Sequence, residues 1–171
     1  MTLQQKMLAK QSKKGFTLVE LVVVIAILAI LAAIAIPAVV GIINSATQSA
    51  GDSDASTVNN ACKTYYAGVK SGTITTSSKN ADGTTVTAAA AKGASEKAKT
   101  TAAKKATVAD AQKYSGLNVA YDNLVYYSGA TQASAANKTL GDIIYFAGDG
   151  SIPGGTTQLA ATTTLDDLYK E

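Results

Sequence analysis

"KKGFTLVELVVVIAILAILAAIAIP", Lys13 to Pro37, places a carboxylate, Glu20, at the mouth of an apolar run, and the reading of that run decides the architecture. From Leu21 to Ile43 no residue is charged or strongly polar. As an α-helix that span reaches about 34 Å, enough to cross a bilayer. An ionised side chain in hydrocarbon costs roughly 2.5 to 3.5 kcal/mol even on lenient insertion scales, so Glu20 requires a partner or a use.

Residues 1–15 are polar and carry Lys6, Lys10, Lys13 and Lys14 with no acid among them. By the positive-inside rule the amino end stays in the cytoplasm and the remainder is exported, with residues 21–43 in the membrane. The same four lysines account for the basicity: the net charge of +3 becomes −1 once residues 1–15 are removed. Every cation is Lys and none is Arg, which removes the planar fork that reads guanine and phosphate bidentately, so no sequence-specific nucleic-acid site is expected. A Sec-type signal peptide is the alternative, with "AIA" at Ala33 to Ala35 as a formal cleavage site. Against it, the apolar run continues past that point, and a carboxylate at its start is outside the signal-peptide pattern.

At 171 residues the chain suits one membrane or fibre segment plus one modest domain. Cys62 is the single cysteine, so an intramolecular disulfide and a Cys-rich metal site are both excluded. With no His, and no acid cluster at ligand spacing, metal catalysis and His-based nucleophilic triads lose their residues. Asp166 and Asp167 are adjacent and diverge if they lie in a strand. The chain reads as a non-enzyme with no catalytic residue, no metal and no cofactor.

The quoted stretch resembles the amino terminus of type IV pilins and their relatives: a short basic leader ending in Gly, then Phe, then Thr-Leu-Val-Glu-Leu and a long apolar helix containing a Pro. The likeness is close over about residues 10–45. It implies cleavage by a prepilin peptidase between Gly15 and Phe16, N-methylation of Phe16, and a glutamate fifth in the mature chain, the place Glu20 occupies. A new ammonium on Phe16 of an adjacent copy is then available to Glu20, setting subunit register; contact of Glu20 with the inner-membrane assembly platform is the rival use. Pro37 matches the point at which such helices bend or loosen, and it is also simply a proline kink in a transmembrane helix.

Beyond Ile43 the helix is expected to continue to Ser71, because Val58, Cys62, Tyr65 and Val69 recur at spacings of four, three and four and Gly72 is a stop signal. Cys62 reads as a small buried hydrophobe. From Thr73 to Lys113 the composition turns to Thr, Ala, Ser, Lys and Gly, which predicts a surface excursion burying little, with helical pieces around Ala94 to Lys105. "TVAD", Thr107 to Asp110, fits a capping box opening a short helix that Gly116 ends. Lys92, Lys97, Lys99, Lys104 and Lys105 form a basic cluster relieved only by Glu96, a solvated face or an adhesive one for anionic surfaces.

"NVAYDNLVYY" (Asn118 to Tyr127) and "DIIYFAG" (Asp142 to Gly148) read as strands, and Leu165, Leu168 and Tyr169 add an edge strand or close the domain. The expected fold is α+β: a long amino-terminal helix, its apolar half protruding, its amphipathic half packed on a small antiparallel sheet of three or four strands. The pilin likeness implies the same architecture. Domains are expected at 1–15 (leader), 16–43 (membrane and fibre core) and 44–171 (head). Pilins often close the carboxy-terminal region with a disulfide, which this chain cannot form. "GDGSIPGG" with Asp149, Asp166 or Asp167 fits calcium ligation, although turn chemistry explains the same residues; "NKT" at Asn137 matches a glycosylation sequon.

The resemblance therefore implies a subunit that polymerises with its own copies into an extracellular type IV filament, serving adhesion, motility or DNA uptake. It is a cytoplasmic-membrane precursor before assembly. A pseudopilin of a secretion or DNA-uptake system is the alternative within the family, and a single-span tether carrying an adhesive head is the alternative outside it.

Overall fold

The computed structural model describes residues 15–128, 141–146, 152 and 154–169. Helix α1, Leu18–Ser71, is followed by α2, Glu96–Lys105, α3, Val108–Ser115, strands β1, Leu124–Tyr127, β2, Ile143–Tyr145, and β3, Thr156–Gln158, and the short helix α4, Leu165–Tyr169. The fold is α+β, as expected. Two compact units divide at Ser45 and Ala46, the first holding the apolar part of α1 and the second the remainder.

In the first unit every large apolar side chain from Phe16 to Ile43 is exposed. Pro37 lies inside α1 with helix on both sides, so the Ala33 carbonyl loses its usual amide donor there.

The second unit forms around one stripe of α1. Ala55, Val58, Cys62, Tyr65 and Val69 are buried at helical spacing, which is the predicted periodicity with one further turn. Gly72 adopts φ +79° and ends the helix at Ser71, the stop expected of it. The sheet has the order β2-β1-β3 with both pairings antiparallel: Val125 faces Ile144 on one side and Gln158 on the other. Central strand β1 buries Leu124, Val125 and Tyr126, as a strand covered on both faces must.

Close packing of α1 on the sheet depends on Gly51. A Cβ at that position would lie 2.2 Å from Cγ of Tyr145 on β2, far inside van der Waals contact. Gly51→Ala is therefore expected to destabilise the head by about 1 to 2 kcal/mol, the overpacking cost exceeding the roughly 1 kcal/mol of helix propensity that Ala adds. Denaturant midpoints of the two full chains check this, and an unchanged or raised midpoint would show that the Tyr145 ring has room to withdraw.

Two sequence expectations are corrected. Residues 73–113 are not a superficial excursion: Ile74, Val86, Ala103, Ala106, Val108 and Ala111 are all buried in the same core cluster as the α1 stripe, alanines supplying half of them. The first strand begins at Leu124 and not at Asn118, since Leu124 N–H donates to Tyr121 O at 2.9 Å and closes a turn at Asp122–Asn123. Of the two roles expected of the patch at Leu165, an edge strand or closure of the domain, it takes the second: it is a short helix whose Leu165 and Leu168 are fully buried in the core. β3 was not anticipated, its residues being polar; Thr156 and Thr157 are the β-branched signal. The other local expectations hold: α2 falls within 94–105, and Thr107 and Asp110 form the reciprocal capping box with Gly116 at φ +72°. The second strand spans Ile143–Tyr145; residues 147 and 148, the end of the expected strand, lie outside those described, as do Asp149 and Asn137.

Candidate processing and assembly site

Residues 15–17 are non-helical and exposed ahead of α1, and Thr17 caps the helix. Its Oγ1 accepts the Glu20 N–H at 3.2 Å, and its carbonyl accepts the Leu21 N–H at 3.2 Å. Ser and Thr are favoured at this position because their side chains satisfy an amide that has no partner in the first turn. Thr17 is a site residue that the sequence reading missed, although "TLVE" is itself the capping pattern. Glu20 lies in the first turn, where the positive end of the helix dipole favours an anion by about 0.3 to 1 kcal/mol.

Gly15, Phe16, Thr17 and Glu20 line one open depression of about 440 Å³, so three of the predicted residues meet at one place; Pro37 lies more than four helical turns further along α1. Phe16 is 84% exposed. Among the described residues a Cβ at Gly15 would meet no heavy atom within 4 Å, so their packing does not require glycine there.

The carboxy-terminal segment has a different anchor from a disulfide. Tyr169 Oη donates to Asn59 Oδ1 at 3.0 Å and lies 3.2 Å from the Asn59 carbonyl, and its ring packs 5.7 Å from that of Tyr66. Tyr66 Oη reaches Asp166 Oδ1 at 3.4 Å. Backbone bonds from Leu165 to the Ala106 carbonyl, 2.8 Å, and from Val108 to the Thr163 carbonyl, 3.0 Å, tie the segment to the α2–α3 junction. Cys62 lies wholly inside, and burial pushes its thiol up to about 12, which keeps it a protonated packing group. Asp166 and Asp167 are engaged by Tyr66 and Thr164, and among the described residues no group of three or more His, Cys, Asp or Glu side chains is placed to hold a metal ion.

An α+β unit led by a helix apolar and long enough to cross a membrane has the form of a membrane-anchored precursor. The family model described as the prokaryotic N-terminal methylation motif matches residues 10–36. That motif is the leader of type IV pilin-like and pseudopilin-like precursors, and it implies prepilin peptidase processing followed by pilin-type assembly. No curated protein and no solved structure matches the chain.

Proposed function

We propose that the chain is a non-enzymatic structural subunit of an extracellular type IV filament, cut between Gly15 and Phe16, methylated on Phe16, and joined to its copies through the apolar part of α1. The observation that carries this reading is the exposure of eighteen large apolar side chains between Phe16 and Ile43. Each is already partly covered by its own chain, so covering the rest is worth on the order of 20 kcal/mol, still more than a folded domain's entire net stability. Lipid covers them in the precursor, with the amino end inside, and neighbouring copies cover them in the fibre. The glycine at position 15 then answers to the peptidase, because its surroundings among the described residues make no demand for it.

Cleavage places an ammonium just ahead of the positive pole of α1, an unfavourable position that a carboxylate relieves. Glu20 of an adjacent copy meets that ammonium; the pair roughly offsets its own desolvation and chiefly specifies axial register. Pro37 supplies the point at which the helix yields during packing.

Mass spectrometry of the mature protein tests the processing, with a methylated Phe16 terminus expected; retention of Lys13 and Lys14, or trimming near Ala35, would refute it. Electron microscopy of sheared surface material tests the polymer. Long fibres are expected, whereas a correctly processed protein confined to the envelope would make it the subunit of a pseudopilus.

A further inference from the structure

We propose that the head carries two complementary charged surfaces, a lysine-rimmed alanine groove and an aspartate edge, and that each docks the other on a second copy of this chain along the filament. The inference rests on the polymer reading above.

The groove, about 570 Å³, lies between residues 87–95 and helix α2. Alanines 88, 89, 91, 98 and 102 line its floor, and Lys97 and Lys105 stand on its rim. Lys92, Lys97, Lys104 and Lys105 are all exposed, and among the described residues none of them makes an ion pair. The acids nearby are already engaged: Glu96 by Lys99 at 2.7 Å, Asp166 by Tyr66, and Asp167 by Thr164. The edge is the converse. Asp54 and Asp122 line one small cavity with Tyr145, and among the described residues neither carboxylate has a cationic partner. The nearest lysine along α1, Lys63, is bonded to Asp142 at 3.2 Å.

The lysine groove and the aspartate edge are displaced from one another along α1. The aliphatic stem of Lys99, on α2, packs against Gly72 at the end of α1, whereas Asp54 lies eighteen residues earlier on the same helix, about 27 Å away along its axis. Surfaces that differ from one another and are displaced along one axis make a head-to-tail contact, and such a contact propagates into an open helical polymer without closing on itself. Alanine keeps the floor shallow, so an incoming edge can bring its carboxylates to the lysines. Opposed charges of this kind set partner and register.

The test uses the full chain in the cell that makes it, with three variants: Lys97→Glu with Lys105→Glu, Asp54→Lys with Asp122→Lys, and all four together. Each pair alone should lower the yield of sheared filaments by at least about tenfold, since like charges then face each other, while mature membrane-held protein ending at Phe16 stays at its normal level. The fourfold swap should restore most of the yield. Normal filaments from either pair, or no recovery from the fourfold swap, would overturn the docking. Loss of DNA retention by either pair with filaments intact would overturn it too, and would assign the lysines to a polyanion. A wild-type chain lacking fibres or a methylated Phe16 removes the polymer reading itself, an outcome visible before any variant is made.

Discussion

Gly141→Ala leaves a head that is destabilised by about 3 kcal/mol and melts roughly 10 °C lower than the natural chain. Two costs combine at this position. Gly141 holds φ +81°, a conformation that L side chains adopt at a cost of about 1 to 2 kcal/mol. A Cβ there would also lie 1.6 Å from the Leu168 carbonyl oxygen, and backbone cannot swing aside as a side-chain tip can. The N–H of Gly141 is bonded to the Tyr127 carbonyl at 2.9 Å, so the residue joins the start of β2 to β1 while lying under α4. Gly83 separates the two costs, because it has φ +80° with open space around its Cβ position. Gly83→Ala should cost only about 1 kcal/mol, and equal melting shifts for the two variants would contradict the close approach of Gly141 to Leu168.

Glu20→Ala is expected to abolish surface filaments, with at least a tenfold loss, and to leave membrane-held protein at its usual level. Under the proposed pairing, removing the carboxylate would leave the Phe16 ammonium of a neighbouring copy without its counter-charge, and breaking one partner of a buried pair costs about 3 to 5 kcal/mol. Glu20 contributes little to its own chain: Thr17, and not the Glu20 side chain, accepts the free amide of the first turn. The head should therefore melt normally in this variant, and filament number in sheared fractions is the decisive count. Normal surface function by a chain without Glu20 would favour a tethered adhesive module over a polymer.

The parts of the fold legible in the sequence were those written in periodicity or in cap chemistry. The stripe Val58, Cys62, Tyr65 and Val69 appears in the structure as buried positions, and "TVAD" closed by Gly116 appears as a capped helix. Residues 73–113 were misread because their contribution comes from alanine. Ala103, Ala106 and Ala111 carry no hydropathy pattern strong enough to mark a core face, yet all three are buried in the core cluster with the α1 stripe. At the site, Gly15, Phe16 and Glu20 announce themselves by residue type and order, whereas Thr17 does so only once the helix start is known. The charged surfaces on the head could not be read from spacing. Asp54 and Asp122 are separated by most of the head sequence, and only the turn ahead of β1 brings them to one cavity.

The aromatic latch of Tyr66, Tyr169 and Asn59 performs the closure that a cystine would otherwise perform. Its formation requires no oxidant and no isomerase, and thiol reductants have nothing in it to attack. Closure of the head in this way is therefore indifferent to the redox state of its surroundings.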